Sequence, residues 1–269
     1  MERAGRILGA VRVVLALSIF VLATIPLTLW QIVAMRSSRL DKHIVPRLWH
    51  KLILTLLGMR IHVRGAPVRH RPLLIASNHV SWTDIMVLGS LVDVKFIAKA
   101  EVADWPLMGY LARLQRTVFV ERTRRRKSGE QAGEIASHLV NGEPLVLFPE
   151  GTTSDGTLPL PFKSTLFAAA DMALEGSASD CVLIQPVAIA YTRLFGLPLG
   201  RRHRSYVSWI GHQDLVPHLL SLLRQGGTTL EVHFGEPVEF RSGGNRKETA
   251  RLVETRVRTM LSEALRNPL

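Results

Sequence analysis

The longest apolar run in the chain extends over residues 13–35, 23 residues without a charge and broken only by Ser18, Thr24, Thr28 and Gln31. A helix over it, at about 1.5 Å per residue, is long enough to cross the hydrocarbon core of a bilayer. The run is too long for the apolar part of a cleaved signal peptide, and no small-x-small site closes it. Arg3, Arg6 and Arg12 precede it and Arg36, Arg39 and Lys42 follow it, so the charge asymmetry that orients spanning helices is missing. Such symmetric flanks also suit a helix that dips into one leaflet, with Pro26 as a place for a kink. Residues 46–59 (PRLWHKLILTLLGM) then set Arg47, His50 and Lys51 against Leu48, Leu52, Ile53, Leu56 and Leu57 at helical spacing, as in an interfacial helix or an amphipathic core helix.

Charge follows the same division. The chain carries a net +12, but residues 1–70 hold eleven Lys and Arg against Glu2 and Asp41, a balance of +9, and the other 199 residues hold only +3. The basic charge therefore sits beside the apolar run and marks an anionic lipid surface, where each basic residue is worth about 1 kcal/mol; a nucleic-acid partner is not expected. Cys181 is the single cysteine, which excludes an intramolecular disulfide and a cysteine-built zinc site.

From residue 72 onward short β-rich runs (73–76, 95–98, 117–120, 145–148, 183–188, 206–210, 230–234) alternate with helical patterns (83–91, 105–113, 129–139, 166–174, 217–224). A last helix at 247–265 gathers Ala250, Val253, Val257, Met260, Leu261 and Ala264 on one face. This alternation predicts an α/β fold, a single layer of mostly parallel strands covered by helices, preceded by the membrane-associated helical segment. The expected division is a membrane-binding segment at 1–70 and a catalytic domain at 71–269.

In an α/β layer, functional side chains collect where strands end. After the first strand comes Ser77-Asn78-His79-Val80-Ser81-Trp82-Thr83-Asp84. With His79 in the loop and Asp84 in the first helical turn, the carboxylate can reach back to one imidazole nitrogen and leave the other as a general base. The competing reading is a capping box, Ser81-x-x-Asp84, with His79 an ordinary loop residue. The third strand leads into Arg122 and the basic run 124–127, placed to grip an anionic group or acidic partner. The fourth ends in Phe148-Pro149-Glu150-Gly151-Thr152-Thr153, a turn in which Gly151 permits close approach of a substrate. Lys163 supplies a cation downstream, and Pro186 inside the fifth strand implies an edge or a bulge.

Asn-His-x4-Asp at 78–84, Val-Phe-Val-x-Arg at 118–122, Phe-Pro-Glu-Gly-Thr at 148–152 and Pro-Val-x-Ile at 186–189 resemble, in order, the four blocks of the glycerolipid acyltransferase family typified by 1-acylglycerol-3-phosphate acyltransferases. The resemblance covers about residues 45–240. It implies transfer of an acyl chain from acyl-CoA or acyl-carrier protein to the hydroxyl of a lysolipid acceptor. By it, His79 is the general base and Asp84 its orienting partner. Asn78, Arg122, Glu150, Gly151, Thr152 and Lys163 belong to substrate binding, and Pro186 to the block associated with the acyl donor.

Many phosphate-acceptor members carry an arginine where this chain has Thr153, and the glycine commonly found two residues after the lysine is missing after Lys163. A lost guanidinium contact weakens a phosphate clamp by about 1.5–3 kcal/mol, which points to an acceptor with another head group. Residues 148–156, 186–193 and 197–200 look similar to the bacterial lyso-ornithine-lipid O-acyltransferases of that superfamily. No Gly-x-Ser-x-Gly elbow occurs, so nothing suggests an acyl-enzyme. The expectation is direct transfer without metal or cofactor, with oxyanion donors near the Gly151 turn. It places the enzyme at the bacterial inner membrane with its catalytic domain facing the cytoplasm, where acyl thioesters are. A thioesterase or hydrolase using the same His-Asp pair is the alternative.

Overall fold

A computed structural model describes residues 2–120, 128–175, 179–211 and 213–269. Its helices are α1 (Glu2–Arg36), α2 (Ile44–Leu56), α3 (Thr83–Leu91), α4 (Met108–Leu114), α5 (Ser128–Val140), α6 (Ala168–Glu175), α7 (Leu215–Gln225) and α8 (Arg246–Arg266). The strands are β1 (Met59–Arg64), β2 (Leu73–Ser77), β3 (Lys95–Lys99), β4 (Val118–Val120), β5 (Leu145–Leu147), β6 (Cys181–Leu194), β7 (Leu197–Pro198), β8 (Thr228–Phe234) and β9 (Val238–Arg241).

Among the described residues these strands form one sheet in the order β1-β8-β6-β2-β5-β3-β4, with β7 and β9 paired to β6. The pairs β1–β8, β6–β2, β2–β5, β5–β3 and β3–β4 are parallel. The three pairs that β6 makes with β7, β8 and β9 are antiparallel. The central strand β2 is buried along its length, as expected of a strand covered on both faces. Alternate residues of β2 feed two cores. Leu73 and Ile75 pack with Leu57 of the α2–β1 turn, Met86 of α3 and Leu222 of α7. Leu74 and Ala76 pack with Leu139 of α5, Ala170 of α6 and Val257 of α8.

Three expectations change. The boundary placed at residue 70 falls beyond a strand of the sheet, because Met59-Arg60-Ile61-His62-Val63-Arg64 alternates apolar and basic and pairs in register with β8. The strand expected at 206–210 does not form. Arg204 is buried there with Nη1 on the Gly156 carbonyl at 2.9 Å, and its own carbonyl receives the amides of Val207 and Ser208. Nor does Pro186 mark an edge. It lies beside Ala76 of β2 on one side and faces the break between β8 and β9 on the other, where the Gly235 amide bonds its carbonyl. Gln185 fills that break, donating to the carbonyls of Ala66 and Gly235 and accepting from the amide of Val68.

The first helix continues through Pro26 as one element and lies lengthwise on the domain. Arg12 Nη1 donates to the carbonyl of Gln225 at 2.8 Å, and Ala16 enters the core. Further along, Thr24 accepts from Trp49 Nε1 at 3.0 Å, and Gln31 Nε2 bridges the carbonyls of Lys42 and Leu114. Val13 and Phe20 are half-buried against the same core, yet of an 18-residue stretch with mean hydropathy 2.4 only 11% is buried.

Candidate active site

Each piece of the site begins where a parallel strand stops. Asn78, directly after β2, exchanges both of its amide groups with the backbone of Ile189, Nδ2 donating at 3.0 Å and Oδ1 accepting at 2.8 Å. It is fully buried and fastens the end of β2 to β6, so its amide is not available to a substrate.

The loop then exposes His79 and turns into α3, which carries Asp84 in its first turn. His79 Nδ1 lies 2.8 Å from Asp84 Oδ2, the contact that the loop-and-helix arrangement permits. The same oxygen accepts the amides of Val80 at 2.6 Å and Ser81 at 2.9 Å, and Oδ1 accepts the Tyr191 hydroxyl at 2.7 Å. Four donors converge on one buried carboxylate, and its contact with the ring sets Nδ1 as the protonated nitrogen of His79. Nε2 is then the basic nitrogen. Half of the capping box exists as well, because the Ser81 amide is capped by Asp84 while the Ser81 hydroxyl has no partner in the protein.

Three groups to which the sequence reading assigns no role complete the setting of His79. Its ring stacks on Phe148, centroids 4.0 Å apart and 16° from parallel. Tyr191, wholly buried, links Asp84 to Thr83 Oγ1 at 2.6 Å, and burial beside the Asp84 charge keeps its phenol protonated, well above the usual range. Ser154 donates its amide to the His79 carbonyl at 2.8 Å.

Glu150 has a different place from the one expected. Its carboxylate turns inward, 2% exposed, with Oε1 accepting the His79 amide at 2.8 Å and Oε2 the Leu160 amide at 3.0 Å. It ties the loop after β5 to the catalytic loop and is withdrawn from the acceptor. Burial pushes its pKa up to about 7, helped by the Asp84 charge and opposed by the two amides. Gly151 adopts φ +74°, and a Cβ there would stand 2.8 Å from Lys163 Nζ, so only glycine lets that amine lie over the turn. The Gly151 amide bonds the Phe148 carbonyl and is not free to hold an oxyanion. Thr152 is exposed at the same turn, and the Thr153 hydroxyl holds the Trp209 carbonyl. Pro186 is buried in β6 and does not reach the cavity. Arg122 and the basic run after it lie outside the described residues.

A cavity of about 310 Å³ opens beside His79. Gly151, Thr152, Thr153, Lys99, Gln115 and Thr117 contribute polar lining, while Ile85 and Met86 of α3, Trp82 just before it, Phe96 of β3 and Leu111 of α4 are among the apolar residues that line it. Trp105 and Trp209, edge to face at 6.4 Å, stand in its wall. Trp49, Trp82, Met86, Met108 and Leu215 separate it from a wholly apolar pocket of about 90 Å³ that is closed by Ala16, Leu17 and Phe20 of α1. The arrangement offers an oriented base at the mouth of a hydrocarbon-lined space reaching toward the amino-terminal helix.

An acyltransferase family model matches residues 60–190. Lyso-ornithine lipid O-acyltransferases of Rhizobium meliloti and Brucella abortus are 47% and 46% identical over 95% and 96% of the chain, covering 88% and 97% of their own lengths. In overall fold the chain is similar to the crystal structure of the 1-acyl-sn-glycerophosphate acyltransferase PlsC from Thermotoga maritima. The TM-score is 0.62 at 22% identity, over 98% of this chain and 97% of that one.

Proposed function

The chain belongs to the acyltransferase family and is a lysolipid acyltransferase of the 1-acylglycerol-3-phosphate acyltransferase type; from that premise we propose that it moves a fatty acyl chain from acyl-CoA or acyl-carrier protein to the hydroxyl of lyso-ornithine lipid. The observation that carries the chemistry is the 2.8 Å contact between His79 Nδ1 and Asp84 beside the apolar cavity. Nε2 of His79 takes the proton of the acceptor hydroxyl as its oxygen attacks the thioester carbonyl. Asp84 holds the imidazolium that forms. Collapse of the tetrahedral intermediate breaks the C–S bond, the imidazolium proton passes to the departing thiolate, and an ester and a free thiol leave. The donor's hydrocarbon chain occupies the apolar cavity, while Thr152, Lys163 and Arg122 serve the acceptor's polar head.

The acceptor assignment rests on the two relatives named for lyso-ornithine lipid and on Thr153. Its hydroxyl holds Trp209, leaving no cation where phosphate-acceptor enzymes carry arginine.

The way α1 docks supports placement on one leaflet of a membrane. Its contacts from Arg12 to the buried Ala34 extend over about 33 Å at the helical rise. A helix held lengthwise over that distance offers its exposed face to one leaflet while staying on the domain. Acyl thioesters are cytosolic, so the leaflet is the cytoplasmic one of the bacterial inner membrane.

The test is a mass-spectrometric transfer assay offering lyso-ornithine lipid and lysophosphatidate together, with either donor. The expected product is the O-acylated ornithine lipid. Free fatty acid as the sole product would make the protein a hydrolase, and preferential consumption of lysophosphatidate would overturn the acceptor.

A further inference from the structure

The β6–β7 hairpin carries an arrangement that its role as a connector does not require. Its turn is Phe195-Gly196, both at positive φ, 51° and 80°. A two-residue hairpin turn of this kind is ordinarily filled by Asn, Asp or Gly, because other side chains are strained in the left-handed region. Here the first position is a phenylalanine 65% exposed, and Leu197 beside it is 72% exposed.

The turn is also held rigid. The Phe195 amide donates to the Gly227 carbonyl at 2.7 Å. Arg193 clamps the base, with Nη1 on the Gly196 carbonyl and Nε and Nη2 on the carbonyls of Leu269 and Pro268. A strained residue type fixed with most of its apolar side chain in water gains little from the folded domain alone.

Two further observations say what covers it. First, the hairpin adjoins α1: the Phe195 ring lies over Gly227, the guanidinium of Arg12 lies over the neighbouring Gly226, and a Cβ on either glycine would collide with them. Around Arg12, α1 exposes Leu8, Val11 and Leu15, so Phe195 and Leu197 prolong the apolar surface of that helix beyond its line. Second, the surroundings are cationic. No Asp or Glu occurs between Asp180 and Asp214, and Arg201, Arg202 and Arg224 are exposed.

We propose that the Phe195–Leu197 hairpin is a second membrane contact of the protein, inserting its two apolar side chains into an anionic lipid surface beside α1. The reading rests on the membrane association of α1 proposed above. With α1 alone the domain could roll about the helix axis. A second point of contact off that axis fixes one roll angle and so sets how the cavity mouth meets the lipid.

The test places an environment-sensitive dye on a single cysteine in a Cys181→Ser background, at Leu197→Cys, at Leu15→Cys on α1, or at Arg251→Cys on the exposed side of α8. The full chain is then mixed with phosphatidylethanolamine–phosphatidylglycerol vesicles. The expected result is a blue shift and protection from aqueous iodide at 197 and 15 but not at 251. Insertion at 15 with a fully quenchable label at 197 overturns the hairpin proposal alone, whereas no insertion at either position overturns the membrane reading of α1 with it. As a second measurement, Phe195→Asn with Leu197→Ser suits the turn geometry and should keep the thermal midpoint while weakening vesicle binding by about tenfold or more. Unchanged vesicle affinity in that variant would contradict the proposal.

Discussion

The turn after β2 and the turn after β5 each bring a buried carboxylate to His79, and they do so for opposite purposes. Asp84 meets the imidazole ring, and its two oxygens receive four donors although the residue is fully buried. Glu150 meets the backbone amide of the same residue, with one further amide from Leu160, and its pKa rises to about 7. Burial raises the Glu150 pKa, and the amides that reach it offset only part of that rise. One carboxylate orients a ring that gains a proton during turnover. The other fixes the position of the loop and is close to losing its charge.

Breaking the ring contact should have the largest effect. His79→Ala and Asp84→Asn are each expected to lower kcat by about 10²–10⁴-fold, the usual worth of an oriented general base, while vesicle binding stays intact because neither residue touches α1. Steady-state kinetics beside vesicle flotation checks both statements. A His79→Ala protein with full activity would remove the general base from the mechanism.

Glu150→Gln sharpens the comparison through pH. A carboxylate whose pKa rises on folding binds protons more tightly in the folded chain, so its contribution to stability is fully present below about pH 4.5 and is lost as pH rises through about 7. The span is on the order of 3 kcal/mol. Glutamine cannot ionise, so the stability of wild type relative to Glu150→Gln should fall between pH 5 and 8 in denaturant titrations. A difference that is flat with pH would mean that Glu150 is already ionised in the folded protein. Activity should fall less than in Asp84→Asn, since one amide bond to the loop survives.

The ease of reading these two turns from the sequence differs for physical reasons. The His79–Asp84 contact is local, five residues apart across a loop and a helix start, and so it could be anticipated. The inward turn of Glu150 could not, because a Pro-Glu-Gly turn presents its carboxylate to either side and only the amides of His79 and Leu160 decide which. Tyr191 and Phe148 reach His79 through strand register, β6 and β5 flanking β2, and neither the hydroxyl's reach to Asp84 nor the ring's stacking on His79 can be read from their sequence neighbours. Among the strands, the continuous apolar runs at 73–76 and 145–148 were legible because both faces are buried. β1 alternates clearly, Met59-Arg60-Ile61-His62-Val63-Arg64, but its basic residues merge with the charged amino-terminal segment and conceal an edge strand. Helix α8 was legible from its buried stripe of Ala250, Val253, Val257, Leu261 and Ala264.

The smallest expected effect tests why Asp84 has a fourth donor. Tyr191→Phe keeps the ring in the core and removes only the hydroxyl that binds Asp84 Oδ1. The carboxylate then keeps its two amides and the His79 contact, so the fold and the dyad geometry persist and kcat should fall by roughly three- to tenfold, a cost of the order of one neutral hydrogen bond. The split between kcat and KM is more telling. The hydroxyl touches Asp84 and lines no part of the cavity, so kcat should fall while KM stays unchanged. A purely structural tyrosine would lower the thermal midpoint and leave kcat of the folded enzyme unchanged, and the two measurements therefore separate a part in holding the dyad from a part in packing alone.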